Sequence, residues 1–175
     1  MTVSTSLSQF NAVLDTWENA LNDYSEADFL KKPSEDSWSI GQVYNHLLRS
    51  TQFFHLKHAE TCLENDDNAS TWKKIPGLIT YFKGSFPNMQ IKVPASPQYT
   101  PRQPENIAAI RDNIPVLRNK MAEMAARLEQ KPLKKGKTAH PAFGFLNAKE
   151  WFIMIEMHFR HHLRQKERLD KFLKG

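Results

Sequence analysis

Along most of this chain the hydrophobic positions recur at alternating intervals of three and four, the period of helices that turn one face to a core. Near the N-terminus, Phe10, Val13, Leu14, Trp17 and Leu21 share one stripe and predict a helix over about residues 7 to 23, with Ser6 and Gln9 at capping-box spacing. The stretch SWSIGQVYNHLLRS opens a second helix more sharply. Ser39 and Gln42 stand where each side chain can satisfy an orphan backbone donor of the other residue. Ile40, Val43, Leu47, Phe53 and Phe54 then form the apolar side of a run that reaches about residue 64. A third helix, about 104 to 129, carries Ile107, Ile110, Ile114, Leu117, Met121, Met124 and Leu128. That stripe crosses Pro115 without losing phase, so the helix is expected to kink there rather than split. The fourth begins after Asn147, three residues before Glu150, and runs to about 173.

Between the second and third helices, residues 65 to 103 contain Pro76, Gly77, Gly84, Pro87, Pro94, Pro97 and Pro101, which break any long element. The stretch WKKIPGLITYFKG leaves room for a short helix or two. A connection of this length is too long for a hairpin loop, and it predicts that helices two and three run the same way, joined by a crossover. The reading is an all-α four-helix bundle in one domain spanning residues 1–175. No internal repeat, low-complexity tract or strong strand alternation stands out.

Composition narrows the class without changing the fold. With 40% hydrophobic and 25% charged residues, the chain is an ordinary globular one. No apolar run approaches the roughly 18 residues of a membrane span, and MTVSTSLSQF lacks the basic start and apolar core of a signal peptide. A soluble cytoplasmic protein with no membrane partner is the expectation. The only cysteine, Cys62, excludes an internal disulfide and reads as a packing residue near a helix end. The net charge of +5 raises a nucleic-acid surface. Much of the excess, however, sits in KPLKKGKTAH (131 to 140), where Lys131, Lys134, Lys135 and Lys137 have no interleaved aromatics to stack on bases. They read as a solvated loop, and a nucleic-acid partner is not expected.

Three of the chain's seven histidines crowd into HFRHHLRQKERL (158 to 169). The inward stripe of the fourth helix runs Trp151, Ile155, His158, His162, Gln165, Leu169, so His158 and His162 lie one turn apart on the core side. His161 falls off that stripe, beside Met157, Arg164 and Arg168, and faces the rim. Two imidazoles one turn apart can aim their lone pairs at a common point. Left buried without partners, each stranded nitrogen costs about 1–3 kcal/mol. Metal ligation relieves that cost, and so does hydrogen bonding to Gln165 or to a neighbouring helix. His46, at the margin of the second helix's apolar side, is the best third ligand. His55 and His58 lie two and three turns further along, and they and His140 read as ordinary partly buried histidines. Three imidazoles can hold Zn²⁺, Ni²⁺ or Fe²⁺ and leave a position for water or substrate.

The blocks WSIGQVYNHL (38 to 47), HPAFGFLNAKEW (140 to 151) and HFRHHLRQKERL together resemble the DinB/YfiT-like superfamily, and the likeness covers nearly the whole chain. The resemblance implies an up-down-down-up four-helix bundle with a divalent metal on His46, His158 and His162. It also implies a tryptophan, Trp38, packed ahead of the second helix, and Gln165 as a hydrogen-bonding group one turn after the ligand pair. Relatives include thiol-dependent S-transferases that use low-molecular-weight thiols such as bacillithiol or mycothiol, and a thiol-using maleylpyruvate isomerase. The implied function is a metal-dependent enzyme acting on a small-molecule substrate, with S-transfer to a small electrophile foremost. Arg164, Lys134, Lys135 and Lys137 are the candidates to hold an anionic thiol. A homodimer fits the resemblance, with exposed Met or aromatic residues as its seam. A metal-dependent hydrolase ranks lower, because such chemistry needs a nearby acid or base. Glu156 lies about 100° from Ile155 on the helix, and Glu150 stands where it caps. A non-catalytic metal-containing bundle or interaction protein is the remaining reading.

Overall fold

The structure, a computed structural model, describes residues 1–87, 100–130 and 134–175. Pro94 and Pro97 of the crossover and Lys131 of the basic segment lie outside the described residues. The apolar stripes all become helices, but the first starts earlier than expected. Helix α1 (Val3–Ala20) is capped by Thr2, whose Oγ1 accepts the Thr5 N–H at 3.0 Å. Ser6, expected as the cap, is buried inside the helix, because Val3 and Ser6 extend the core-facing stripe by one more turn. A 3-10 turn (Leu21–Asp23) and a short helix α2 (Glu26–Leu30) follow.

Helix α3 (Ile40–Ser50) starts with the predicted capping box. Ser39 Oγ accepts the Gln42 N–H at 3.1 Å and Gln42 Oε1 accepts the Ser39 N–H at 2.9 Å. The expected unbroken α-helix to residue 64 is corrected here. The backbone widens into a π turn over Thr51–His55 before resuming as α4 (Leu56–Glu64). Phe53 lies on the outside of that turn, 65% exposed with the Arg49 guanidinium over its ring, rather than on the apolar side. The crossover contains one described helix, α5 (Ile75–Lys83), which stops at Gly84, where the backbone turns left-handed with φ +60°. Helix α6 (Ile107–Glu129) runs continuously past Pro115 and buries every residue of its predicted stripe.

Two short strands depart from the all-helical expectation. β1 (Lys137–His140) and β2 (Gly144–Asn147) pair antiparallel, Lys137 opposite Asn147 and His140 opposite Gly144. Four residues per strand are too few to show alternation in the sequence. Gly144 makes the turn possible, since its φ of +80° is strained for any residue with a Cβ. Lys137 therefore belongs to a strand rather than to a loop. Helix α7 (Ala148–Leu173) starts from the end of β2 with a second capping box between Asn147 and Glu150, both bonds 2.9 Å. Asn147→Ala removes one half of it and is expected to lower stability by about 1 kcal/mol. Urea denaturation measures this, and an unchanged midpoint would show that the hairpin alone holds the helix start.

The described chain is thus mostly helical with one small hairpin. α1 packs along α7 and α6, α3 reaches α6 and α7, and α4 lies against α7 and β1. Two buried polar links tie these layers. Trp17 Nε1 donates to the Phe159 carbonyl at 3.3 Å, and the Tyr44 hydroxyl donates to the Trp17 carbonyl at 2.6 Å. Among the described residues, no helix is long and apolar enough to cross a membrane.

Candidate metal centre

Because α3 and α7 cross with their histidines facing each other, three side chains far apart in sequence meet. His158 Nε2 lies 3.1 Å from His46 Nε2 and 3.1 Å from His162 Nε2. One ligand atom from each residue falls within 4.8 Å of the other two. A tetrahedral ion with bonds of about 2.0–2.1 Å holds its nitrogens about 3.3 Å apart, so the two short edges already have nearly the spacing of ligands. The structure brings together the three residues singled out from sequence.

Electrostatics leave these rings in the ligating form. Burial lowers the His46 pKa to about 4. Burial first, then the neighbouring His46, lowers His162 to about 3, against a smaller opposing pull from Gln165. His158 lies well below the ordinary histidine value, through burial first and then the imidazoles around it. At neutral pH all three are uncharged and each has one nitrogen lone pair free. Gln165 Oε1 accepts the His162 Nδ1 proton at 2.8 Å, which leaves the lone pair on Nε2. Trp38, the tryptophan ahead of α3, packs on the His46 ring with centroids 5.2 Å apart. His158 Nδ1 is buried with no hydrogen-bond partner among the described residues. Three unprotonated nitrogens so close together repel unless a proton or a cation lies between them, and the set is compatible with a divalent metal.

The sequence reading missed His55, taken there for an ordinary partly buried residue. It is buried, its ring edge-on to His158 with centroids 5.1 Å apart. Burial first, then His140, His46 and His58, lowers its pKa to about 3. In a regular α-helix residues nine apart point to opposite sides. The π turn absorbs about one residue, roughly 100° of rotation, and brings His55 round toward the side of His46. Around it, His58 stacks on Trp151 at 4.5 Å and His140 stacks on Phe143 at 4.4 Å. His140 Nδ1 accepts the Ala142 and Phe143 N–H groups, which places the ring at the hairpin turn. His161 is half-buried against Phe86, 5.5 Å between centroids, outside the three-nitrogen set.

The remaining candidates go elsewhere. Lys134 Nζ pairs with Asp66 at 3.2 Å, the Lys135 N–H donates to the same carboxylate, and Lys137 Nζ donates to the Thr71 carbonyl. These bonds anchor the root of the hairpin. Burial first, then the charges of Arg164 and Arg168, lowers the His161 pKa. Glu150 accepts the Asn147 N–H and pairs with Lys73. Glu156 is buried and held by Arg160 through bonds of 2.7 and 2.9 Å. Neither carboxylate joins the three nitrogens. The Cys62 thiol donates to the Leu146 carbonyl at 3.5 Å, and burial raises its pKa, as expected of a packing residue rather than a nucleophile.

The sequence model of the DinB superfamily matches residues 9–165. No curated protein matches the chain.

Proposed function

The chain belongs to the DinB superfamily, and on that footing we propose that it is a divalent-metal-dependent enzyme that transfers a low-molecular-weight thiol to a small electrophile. The observation that carries this reading is the convergence of the His46, His158 and His162 Nε2 atoms. Zinc, nickel and iron all suit three imidazoles, and availability rather than affinity selects among them. A divalent ion held there would supply the Lewis acidity that makes a thiol ionise near neutral pH. The protein's own part is to keep the three imidazoles neutral by burial, to hold the His162 tautomer through Gln165, and to line the approach with Trp38 and Phe86. Within this reading the long helical runs form one domain, an up-down-down-up bundle, with α5 in the crossover. The hydrolase alternative is the weaker one, because Glu150 and Glu156 are committed to a helix cap and to Arg160.

Protein loaded with Co²⁺ tests the proposal. Adding a small monothiol is expected to produce a sulfur-to-cobalt charge-transfer band, and the loaded protein to speed thiol consumption by an alkylating or epoxide electrophile. A site that keeps its ion but gives neither signal would reduce the protein to a non-catalytic metal-containing bundle.

A further inference from the structure

Beside the three converging nitrogens, the buried polar atoms His158 Nδ1, His55 Nδ1 and Trp151 Nε1 have no hydrogen-bond partner among the described residues. They share one neighbourhood. Trp151 and His158 stand two turns apart on the inward stripe of α7, and the His55 ring lies against both, with centroids 5.1 Å from His158 and 6.1 Å from Trp151. His55 is only 5% exposed and Trp151 is fully buried, so bulk solvent does not reach these atoms. Leaving all of them unpaired is costly, and their closeness means that one small polar group can serve them together.

Taking the three imidazoles as metal ligands, we propose that His55 is the residue that positions His158, through one buried water that accepts the His158 Nδ1 and Trp151 Nε1 protons and donates to His55 Nδ1. A ring that gives its Nε2 lone pair to an ion carries its proton on Nδ1, and that proton needs an acceptor. For His162 the acceptor is Gln165, three residues along the same helix. The residue three beyond His158 is His161, whose ring turns to Phe86 and His162 instead. The other rings against His158 are those of His46 and His162, whose Nδ1 atoms as fellow ligands also carry protons, and of Phe86, which has no acceptor. Among these rings, only His55 has a nitrogen left to accept.

The His55 and His158 rings meet at 85° and their Nδ1 atoms make no direct bond, which is why a water joins them. Its polarity fits: two N–H donors meet its oxygen, and one of its protons meets the His55 lone pair, with the proton of His55 itself on Nε2. That makes three bonds, about the usual number for a buried water. The π turn thereby gains a chemical role. A regular helix would place residue 55 on the side opposite His46, and the wider turn over Thr51–His55 brings the acceptor round to the ligand that lacks one.

Zn²⁺ affinity, measured by competition with a chromophoric chelator and read together with ¹⁵N–¹H spectra of the histidine rings, tests the assignment on the full chain. The Zn²⁺-loaded wild type is expected to hold a proton on His158 Nδ1, shifted downfield by its hydrogen bond. His55→Phe keeps an aromatic ring in place and removes the acceptor. It is expected to bind the ion about 10–100-fold more weakly, with the His158 proton moved upfield and the helical circular dichroism signal unchanged. His55→Gln, which returns an acceptor, is expected to recover most of the affinity. Wild-type affinity with an unmoved proton in His55→Phe overturns the proposal, as does a loss in His55→Gln as large as in His55→Phe. So does a wild-type His158 proton at the position of an unbonded ring N–H, a result that needs no variant. Each of these leaves the three histidines as ligands, whereas a wild type that takes up no Zn²⁺ overturns that reading and the role of His55 with it.

Discussion

His158→Ala is expected to lower the affinity for a divalent ion by at least about a thousandfold, to less than stoichiometric content after purification without chelator. Both short edges of the cluster run through this residue, to His46 and to His162. Without it the site has two imidazoles from two different helices and no common centre. Loss of an outer hydrogen-bonding partner costs about 10–100-fold in comparable sites. Gln165→Ala, which only releases the His162 tautomer, is expected in that smaller range. The contrast separates ligand from supporting residue. The fold is expected to survive, because the substitution also removes the buried, unpartnered Nδ1 of His158 and so offsets part of the cavity it leaves. Metal analysis and competition with a chromophoric chelator measure the effect. Wild-type ion content in His158→Ala would place the ion somewhere other than these three nitrogens.

The metal-free protein is expected to lose stability steeply on mild acidification. His46 and His140 are pushed down to about 4, His55 and His162 to about 3, and His158 well below the ordinary value, in each case first by burial. An unfolded chain protonates these rings near pH 6.5, whereas the folded chain holds them neutral until much lower pH. Between about 6.5 and 4 the unfolded state therefore binds more protons, and stability rises with pH across that window. The contribution is fully present above 6.5 and is lost as pH falls toward the folded values, at about 1.4 kcal/mol per pH unit for each histidine titrating. Urea melts of chelator-treated protein at pH 7, 6 and 5 check this. A midpoint that does not move between 7 and 5 would mean that the histidines are already solvated or charged in the folded state.

Which parts could be read from the chain follows from the range of the forces involved. Helix stripes and capping boxes are local, and so Ile107 to Leu128, Ser39 with Gln42, and Asn147 with Glu150 all fold as their spacing predicts. The ligand pair is local as well, one turn apart on α7. The place of His55 is not, because no residue in Thr51–His55 announces a wider turn and the ring's neighbours come from α7 and the hairpin. The hairpin is too short for its strands to alternate visibly, and its Gly144 turn is set by closure against Lys73 and Lys74. The outer face of α5 shows a different limit. Periodicity tells which side of a helix is apolar but not whether anything in the same chain covers it.

The π turn also has a meaning in terms of insertion and deletion. It amounts to one residue more than a continuous α-helix from Ile40 to Glu64 would need, the footprint of a single inserted codon. Deleting one residue between Thr51 and Phe54 would restore the regular helix and leave everything downstream on its present side, because the π turn already takes up that residue's rotation of about 100°. Leu56, Ala59 and Cys62 would stay in the core, and with them the Cys62 contacts to Thr138 and Leu146 that fasten the hairpin. The turn thus absorbs a change in chain length: one extra residue is carried within Thr51–His55 while the face on which the hairpin docks stays where it is.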